Sequence, residues 1–348
     1  MIEYFKLFRR KGLKSVTFFI TGRCNARCKM CFYWKNNENK KELSIEEIEK
    51  ISKNLPNFFW LWISGGEPFL RQDIAEICEK FYKNNNVSNI QIPTNGLMPE
   101  VVLKKTKEIL AKCPKANITI IFSIDGLEEE HDYIRGVKGI YKKVMTSMDL
   151  LKELKKSHKN LNIQSTITLT TYNQERIIEI YKDIRKKVNA VNVNIVRGDA
   201  REKLSKGVDL DKYYQLHKLI LKDYKKYSIY PAPIRPFIYA KDAVMREIII
   251  STYKNNKRYI SCKAISGSLV LDETGNIFPC EMLPNKLGDL RKENYATLLK
   301  KNKKLNEWIK KECYCTHECS MTSSIIYSIR HYPRLLSYYF KYIFRRLL

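Results

Sequence analysis

Three cysteines stand close together near the start of the chain: Cys24-Asn-Ala-Arg-Cys28-Lys-Met-Cys31, spaced CxxxCxxC. Thiolates this near in sequence can converge on one metal centre. A [4Fe–4S] cluster takes four ligands, usually four Cys. Three Cys leave one iron with an open position, where a small molecule can bind. The competing use is a zinc site, but closed structural zinc sites take four ligands in paired CxxC or Cys/His spacing, and no His lies nearby to complete one. A second group, Cys262, Cys280, Cys313, Cys315 and Cys319, falls in the last third. It includes Gly275-Asn-Ile-Phe-Pro-Cys280 after a β-like run, and Cys313-Tyr-Cys315-Thr-His-Glu-Cys319. Such a set serves either an iron–sulfur cluster or a small zinc ribbon, with His317 as a further donor. Cys78 and Cys113 stand alone and read as ordinary thiols.

These cysteines need a scaffold, and the segments around them alternate strand and helix. Ser15–Ile20, Phe58–Ser64, Ile90–Pro93, Ile118–Ser123, Leu161–Leu169 and Val191–Val196 read as strands. Helical spacing follows at Ser44–Leu55, Gln72–Tyr82, Glu100–Ala111, Tyr141–Leu154 and Glu175–Lys187. Ser44 with Glu47 three residues later is a capping box. Alternation of this kind implies a parallel sheet with covering helices. Six units suit an α/β fold with a partial (β/α)6 TIM-like barrel, whose chemistry gathers at the C-terminal strand ends. Asp209–Tyr227 reads as one more helix. Tyr230–Pro236, with three prolines, reads as a linker. The expected division is a basic amphipathic segment 1–14, the barrel 15–230, a small Cys-rich domain 231–323 and a basic aromatic tail 324–348.

The loops after the strands carry the remaining signals. Gly65-Gly66-Glu67-Pro68 follows the second, Thr94-Asn95-Gly96 the third, Ser123-Ile-Asp125-Gly126 the fourth, and Arg135-Gly136 closes HDYIRG. Each alone is a common turn. Together, in this order with the run TGRCNARCKMCFYW, they resemble the radical S-adenosylmethionine (SAM) superfamily over about residues 15–200. The resemblance implies a [4Fe–4S] cluster on Cys24, Cys28 and Cys31 with SAM at the open iron. It further implies Gly65, Gly66, Glu67 and Pro68 at the SAM amino group, Ser123 and Asp125 near the ribose, Arg135 facing the carboxylate, and Thr94 and Asn95 beside them. Met30 departs from the aromatic residue of many relatives. The implied activity is reductive cleavage of SAM to a 5′-deoxyadenosyl radical that abstracts hydrogen from an unactivated C–H bond. An electron donor such as ferredoxin or flavodoxin is implied with it.

The C-terminal cysteines resemble the SPASM/twitch subgroup. Full SPASM domains carry seven Cys for two auxiliary clusters; five here imply one auxiliary [4Fe–4S] cluster. Cys262, Cys280 and Cys319 are its firmest ligands, with Cys313 and Cys315 competing for the fourth place. His131 and Tyr133 are candidate acid–base groups whose alternative is a structural role.

Charge and the chain ends bear on the substrate. The formal net charge is +27, from 64 Lys plus Arg against 37 Asp plus Glu. That balance favours anionic partners. No motif for nucleic-acid recognition is present, which counts against RNA or DNA. Residues 1–13 carry Arg9, Arg10 and Lys11 after the apolar stretch, the reverse of a signal peptide, so a cytoplasmic protein is expected. In residues 334–348, Arg334, Ser337, Lys341 and Arg345 form one helical stripe amid apolar residues. A helix of that length spans only about 22 Å, too short to cross a bilayer. It suits a helix lying on anionic lipid at the inner face of a membrane, and a lipid or lipid-linked substrate. Packing of the tail on the barrel is the other expectation. Modification of a ribosomal peptide or protein side chain is the alternative function. A non-catalytic iron–sulfur electron carrier is the alternative of another class.

Overall fold

The computed structural model of the chain describes residues 12–36, 41–226, 230–316 and 321–344. The basic segment before residue 12, His317, Cys319 and Arg345 of the expectations above lie outside the described residues. Six parallel strands run in sequence order: β1 (Ser15–Thr21), β2 (Trp60–Gly65), β3 (Asn89–Thr94), β4 (Asn117–Ser123), β5 (Leu161–Leu169) and β6 (Ala190–Ile195). Between them lie α1 (Ile45–Lys53), α2 (Ile74–Asn85), α3 (Pro99–Lys112), α4 (Glu128–Arg135), α5 (Ile140–Ser157) and α6 (Ile177–Ile184). The capping box forms as expected: the Ser44 hydroxyl accepts from the Glu47 N–H, and the Glu47 carboxylate accepts from the Ser44 N–H.

Strand alternation divides the sheet into two unlike faces. Val16, Phe18, Ile20, Leu61, Ile63, Ile90, Ile92, Ile118, Ile120, Phe122, Ile163 and Ile167 are buried and join the apolar core under the helices. The opposite face carries Thr17, Trp62, Gln91, Gln164, Thr166, Asn192 and Asn194, which line a central cavity of about 970 Å³. The inner face of the sheet thus brings polar side chains to a cavity whose remaining wall is largely apolar.

Three features depart from the expectations. A helix, α4, stands between β4 and α5, where only a motif was read; it carries HDYIR and ends at Gly136 in the left-handed region. Of the expected linker Tyr230–Pro236, residues 230–234 are non-helical, but Arg235 and Pro236 already belong to a helix that was not expected. After α7 (Leu210–Asp223), α8 (Arg235–Asn255) starts with Pro236 in its first turn, where a missing N–H costs no hydrogen bond. Finally, the sheet continues beyond β1. β7 (Ser268–Leu271) pairs with β1 in parallel, and β8 (Asn276–Phe278) and β9 (Gly288–Asp289) follow antiparallel, giving the order β6-β5-β4-β3-β2-β1-β7-β8-β9. The cysteine-rich segment thus extends the barrel sheet.

The chain continues through α9 (Tyr295–Lys301), α10 (Lys303–Lys311) and α11 (Met321–Ile326) to α12 (Tyr332–Phe344). One face of α12 lies on α8: the Tyr239 ring meets Tyr342 at 5.1 Å and Tyr338 at 6.4 Å, and the Tyr338 hydroxyl donates to Glu247. Its other face leaves Tyr332, Leu336, Phe340 and Phe344, four residues apart, exposed. Among the described residues no helix is long and apolar enough to cross a membrane.

Candidate active site

The loop after β1 holds Cys24, Cys28 and Cys31, and neighbouring segments bind its backbone from three sides. Arg27 and Lys29 donate N–H bonds to the carbonyls of Arg135 and Ile134 (3.1 and 3.0 Å) at the end of α4. Beyond β6, the N–H groups of Arg201 and Glu202 donate to Cys31 and Lys29 (3.0 and 2.8 Å). After β2, Gly66 and Glu67 donate to Thr21 and Arg23 (2.8 and 2.9 Å). A Cβ at Gly66 would sit 2.1 Å from the Arg23 carbonyl oxygen, so this approach demands glycine.

All three cysteines are partly buried and line the cavity. Burial foremost pushes the Cys24 thiol up to about 12, with Cys28, Glu67 and Cys31 adding to the effect. Burial and then Cys28 push Cys31 up as well. Buried thiols so close to one another need a cationic centre to become thiolates together. The same burial is what a cluster shielded from water requires. Among the described residues no three His, Cys, Asp or Glu side chains close around a single-ion position.

Arg135 joins this loop to the fourth strand end. Its Nη1 donates to Cys28 Sγ (3.5 Å) and its Nη2 lies 2.5 Å from Asp125 Oδ2. Burial opposes the guanidinium charge, but Asp125 and Cys28 outweigh it and hold the pKa above its ordinary value. Asp125 is fully buried, and its second oxygen accepts from the Thr168 N–H (2.6 Å). The Asp125 carbonyl accepts from Asn173 Nδ2 (2.8 Å), and its N–H donates to His131 Nδ1 (3.1 Å). Burial and then Arg135 keep His131 neutral. His131 therefore supports the Ser123–Gly126 turn from behind. Tyr133 is exposed, with Lys29 Nζ over its ring at 4.2 Å.

Glu67 is buried and used as a strut. Its carboxylate accepts from Thr94 Oγ1 (2.9 Å), the Asn95 N–H (2.7 Å) and the Phe69 N–H (3.2 Å), where Pro68 opens a short 3-10 turn. Burial pushes its pKa up to about 7, against the pull of those donors. Asn95 Nδ2 then donates to Asn25 Oδ1 (2.7 Å) inside the cysteine loop. Gly65, Gly66, Glu67, Thr94, Asn95, Ser123 and Arg135 all line the cavity beside the cysteines. Asn25, Thr168, Asn173 and Arg201 complete this frame without belonging to any spacing pattern in the sequence.

The second cysteine group lies partly on the same cavity. Cys262, Cys280 and Cys313 act on one another electrostatically; burial and then Cys262 and Cys280 push Cys313 up to about 11. Cys280 lines the cavity, whereas Cys315 is exposed. The two cysteine regions are also tied: the Tyr33 hydroxyl donates to Glu273, and Arg197 pairs with Glu281 at 2.7 Å. Cys78 and Cys113 are fully buried in the core under α2 and α3.

Comparison with known proteins gives this geometry a context. Residues 18–184 match the Radical SAM superfamily model. The chain is 24% identical over 299 residues to the AdoMet-dependent heme synthase of Methanosarcina barkeri, covering 80% of each chain. It is 25% identical over 294 residues to the antilisterial bacteriocin subtilosin biosynthesis protein AlbA of Bacillus subtilis, covering 81% of this chain and 58% of that protein. Its fold is similar to that of native anSMEcpe with bound AdoMet and Cp18Cys peptide, with a TM-score of 0.60 at 17% identity over 97% of this chain and 98% of the other. The reading as an electron carrier without catalysis falls away. Residues 18–184 therefore form a radical SAM domain, and the chain is a radical SAM enzyme.

Proposed function

We propose that Cys24, Cys28 and Cys31 hold the [4Fe–4S] cluster and that SAM binds between it and the ends of β2, β3 and β4. The observation that carries this reading is the single guanidinium of Arg135, which touches both Cys28 Sγ and Asp125 at the cavity wall. When bound, the cluster supplies the electron that splits SAM into methionine and a 5′-deoxyadenosyl radical, which takes a hydrogen atom from substrate. Arg135 places positive charge where the SAM carboxylate would lie, and Gly65 and Gly66 let backbone groups approach its amino group. Ser123, Thr94 and Asn95 border the nucleoside side. Asp125 and Glu67 act in this arrangement by holding Arg135 and the Thr94–Asn95 turn in place. Cys262, Cys280 and Cys319, with Cys313 or Cys315 as the fourth ligand, are assigned to an auxiliary cluster in residues 231–323, which follows the barrel of residues 15–230. An electron donor such as ferredoxin or flavodoxin completes the system.

The substrate we infer is a peptide or protein side chain. The bacteriocin-biosynthesis relative and the peptide-bound fold neighbour support it, together with a cavity large enough for several residues. The test is anaerobic reconstitution with iron and sulfide, then dithionite and SAM. 5′-Deoxyadenosine made by the wild type and lost in Cys28→Ala is the expected result; no SAM binding would overturn the reading.

One observation favours a second element, a seat on an anionic membrane that would bring lipid-linked substrates within reach. The exposed ridge Tyr332, Leu336, Phe340 and Phe344 is flanked by Arg330, Arg334 and Lys341, as an interfacial helix requires. Full-length protein should co-sediment with phosphatidylglycerol vesicles, and a chain ending at Tyr332 should not. Equal behaviour of the two would remove this element.

A further inference from the structure

The inner wall of the barrel holds a side chain that packing does not explain. Trp62 occupies the middle of β2 and faces the cavity, yet it is 36% exposed. Small barrels are ordinarily filled by branched apolar residues, which would have covered it. Its neighbours across the sheet are Thr17 on β1 and Gln91 on β3. Gln91 is only 9% exposed, and it lines the cavity. A carboxamide on a cavity wall has donor and acceptor groups to offer whatever enters the cavity. Farther round the wall, Gln164 is 4% exposed and accepts only a long bond from Asn192 Nδ2 (3.4 Å).

These groups specify a chemistry. An indole face offers a broad apolar platform. A carboxamide offers both donor and acceptor, so its best complement is another group with both, a peptide bond or a second carboxamide. Charge plays a smaller part here, because four of the six cations that line the cavity, Arg135, Arg185, Arg197 and Lys241, are each paired with a carboxylate. We propose that Trp62 and Gln91 form the recognition bed of the cavity, taking a neutral ligand in which an apolar side chain lies next to a peptide bond or carboxamide. The inference rests on the reading of a peptide-modifying enzyme and narrows it: the segment admitted to the barrel is uncharged and carries an aromatic or branched side chain against Trp62.

The test is isothermal titration of the reconstituted full chain with SAM present, using N-acetyl-L-tyrosinamide, N-acetyl-L-leucinamide and sodium benzoate as probes. The two neutral amides should bind more tightly than benzoate. Trp62→Leu should weaken the tyrosine probe by roughly tenfold, and Trp62→Phe, which keeps a ring, by less. Gln91→Leu should weaken both amides by roughly fivefold to tenfold through loss of the amide bond. Iron content and thermal melting report whether each variant is folded, and the wild-type ranking of the three probes stands without any variant. Benzoate binding at least as tightly as the amides, or amide binding indifferent to Trp62→Phe and Trp62→Leu, would overturn the proposal. SAM cleavage is followed separately in the wild type. Cleavage with no amide binding strikes this inference alone, and absent cleavage with Trp62-dependent binding strikes the reaction alone.

Discussion

The two cysteine regions are built on different plans. Cys24, Cys28 and Cys31 lie within eight residues on one loop, and three neighbouring segments bind that loop's backbone. Cys262, Cys280 and Cys313 come from segments far apart in sequence and meet where the sheet turns antiparallel. The first region is held to its frame by backbone hydrogen bonds. The second is gathered from separate segments, so a metal there would tie together parts of the chain that the first site does not need to join.

The most severe break in this comparison is Cys28→Ala. It should abolish 5′-deoxyadenosine formation and remove about four of about eight irons per chain, while the auxiliary cluster stays. Next is Arg135→Leu, which strips the counter-charge from fully buried Asp125. An uncompensated buried charge costs ~3–5 kcal/mol, so thermal melting should fall clearly, and adding Asp125→Asn should restore part of the loss. Cys313→Ala tests the other region: it should lose about four irons but keep the first cluster, whereas Cys315→Ala should retain more iron than Cys313→Ala. Equal losses from the two variants would show that the exposed thiol turns inward to the metal. Glu67→Gln sets an amide NH2 against the donors of Thr94, Asn95 or Phe69, for ~1–3 kcal/mol of stability by denaturant titration. Smallest is Glu202→Gln, which removes the half-exposed ion pair with Lys29 at 2.8 Å; it should cost no more than ~1 kcal/mol, and less in high salt.

The same contrast separates what the sequence disclosed from what it hid. The barrel strands were legible because each is a short apolar or alternating run between turn residues; Leu161–Leu169 is reproduced residue for residue. The motif residues at strand ends were legible because their order along the chain is their order around the barrel. What stayed hidden depends on partners distant in sequence. Nothing local shows that the Glu67 and Asp125 carboxylates turn inward to brace other loops. Trp60-Leu-Trp62-Ile reads as one apolar run, although its alternate residues face the cavity and the core. Helix α8 was obscured because the prolines before it were read as breakers, although Pro236 sits where a helix tolerates proline. The junction of β7 with β1 carries no spacing signal at all.

That junction has a consequence for how the protein is made. β1 leaves the ribosome before its partner β7, which follows about 250 residues later. At 5–20 residues per second, one edge of β1 waits roughly 10–50 s for its neighbour. Over that interval the nascent barrel presents Val16, Phe18 and unpaired backbone groups along an open edge, the kind of surface on which chains stick to one another. Translation speed and chaperone supply in an expression host should therefore govern the soluble yield, and any shortened version lacking Ser268–Leu271 inherits that open edge permanently.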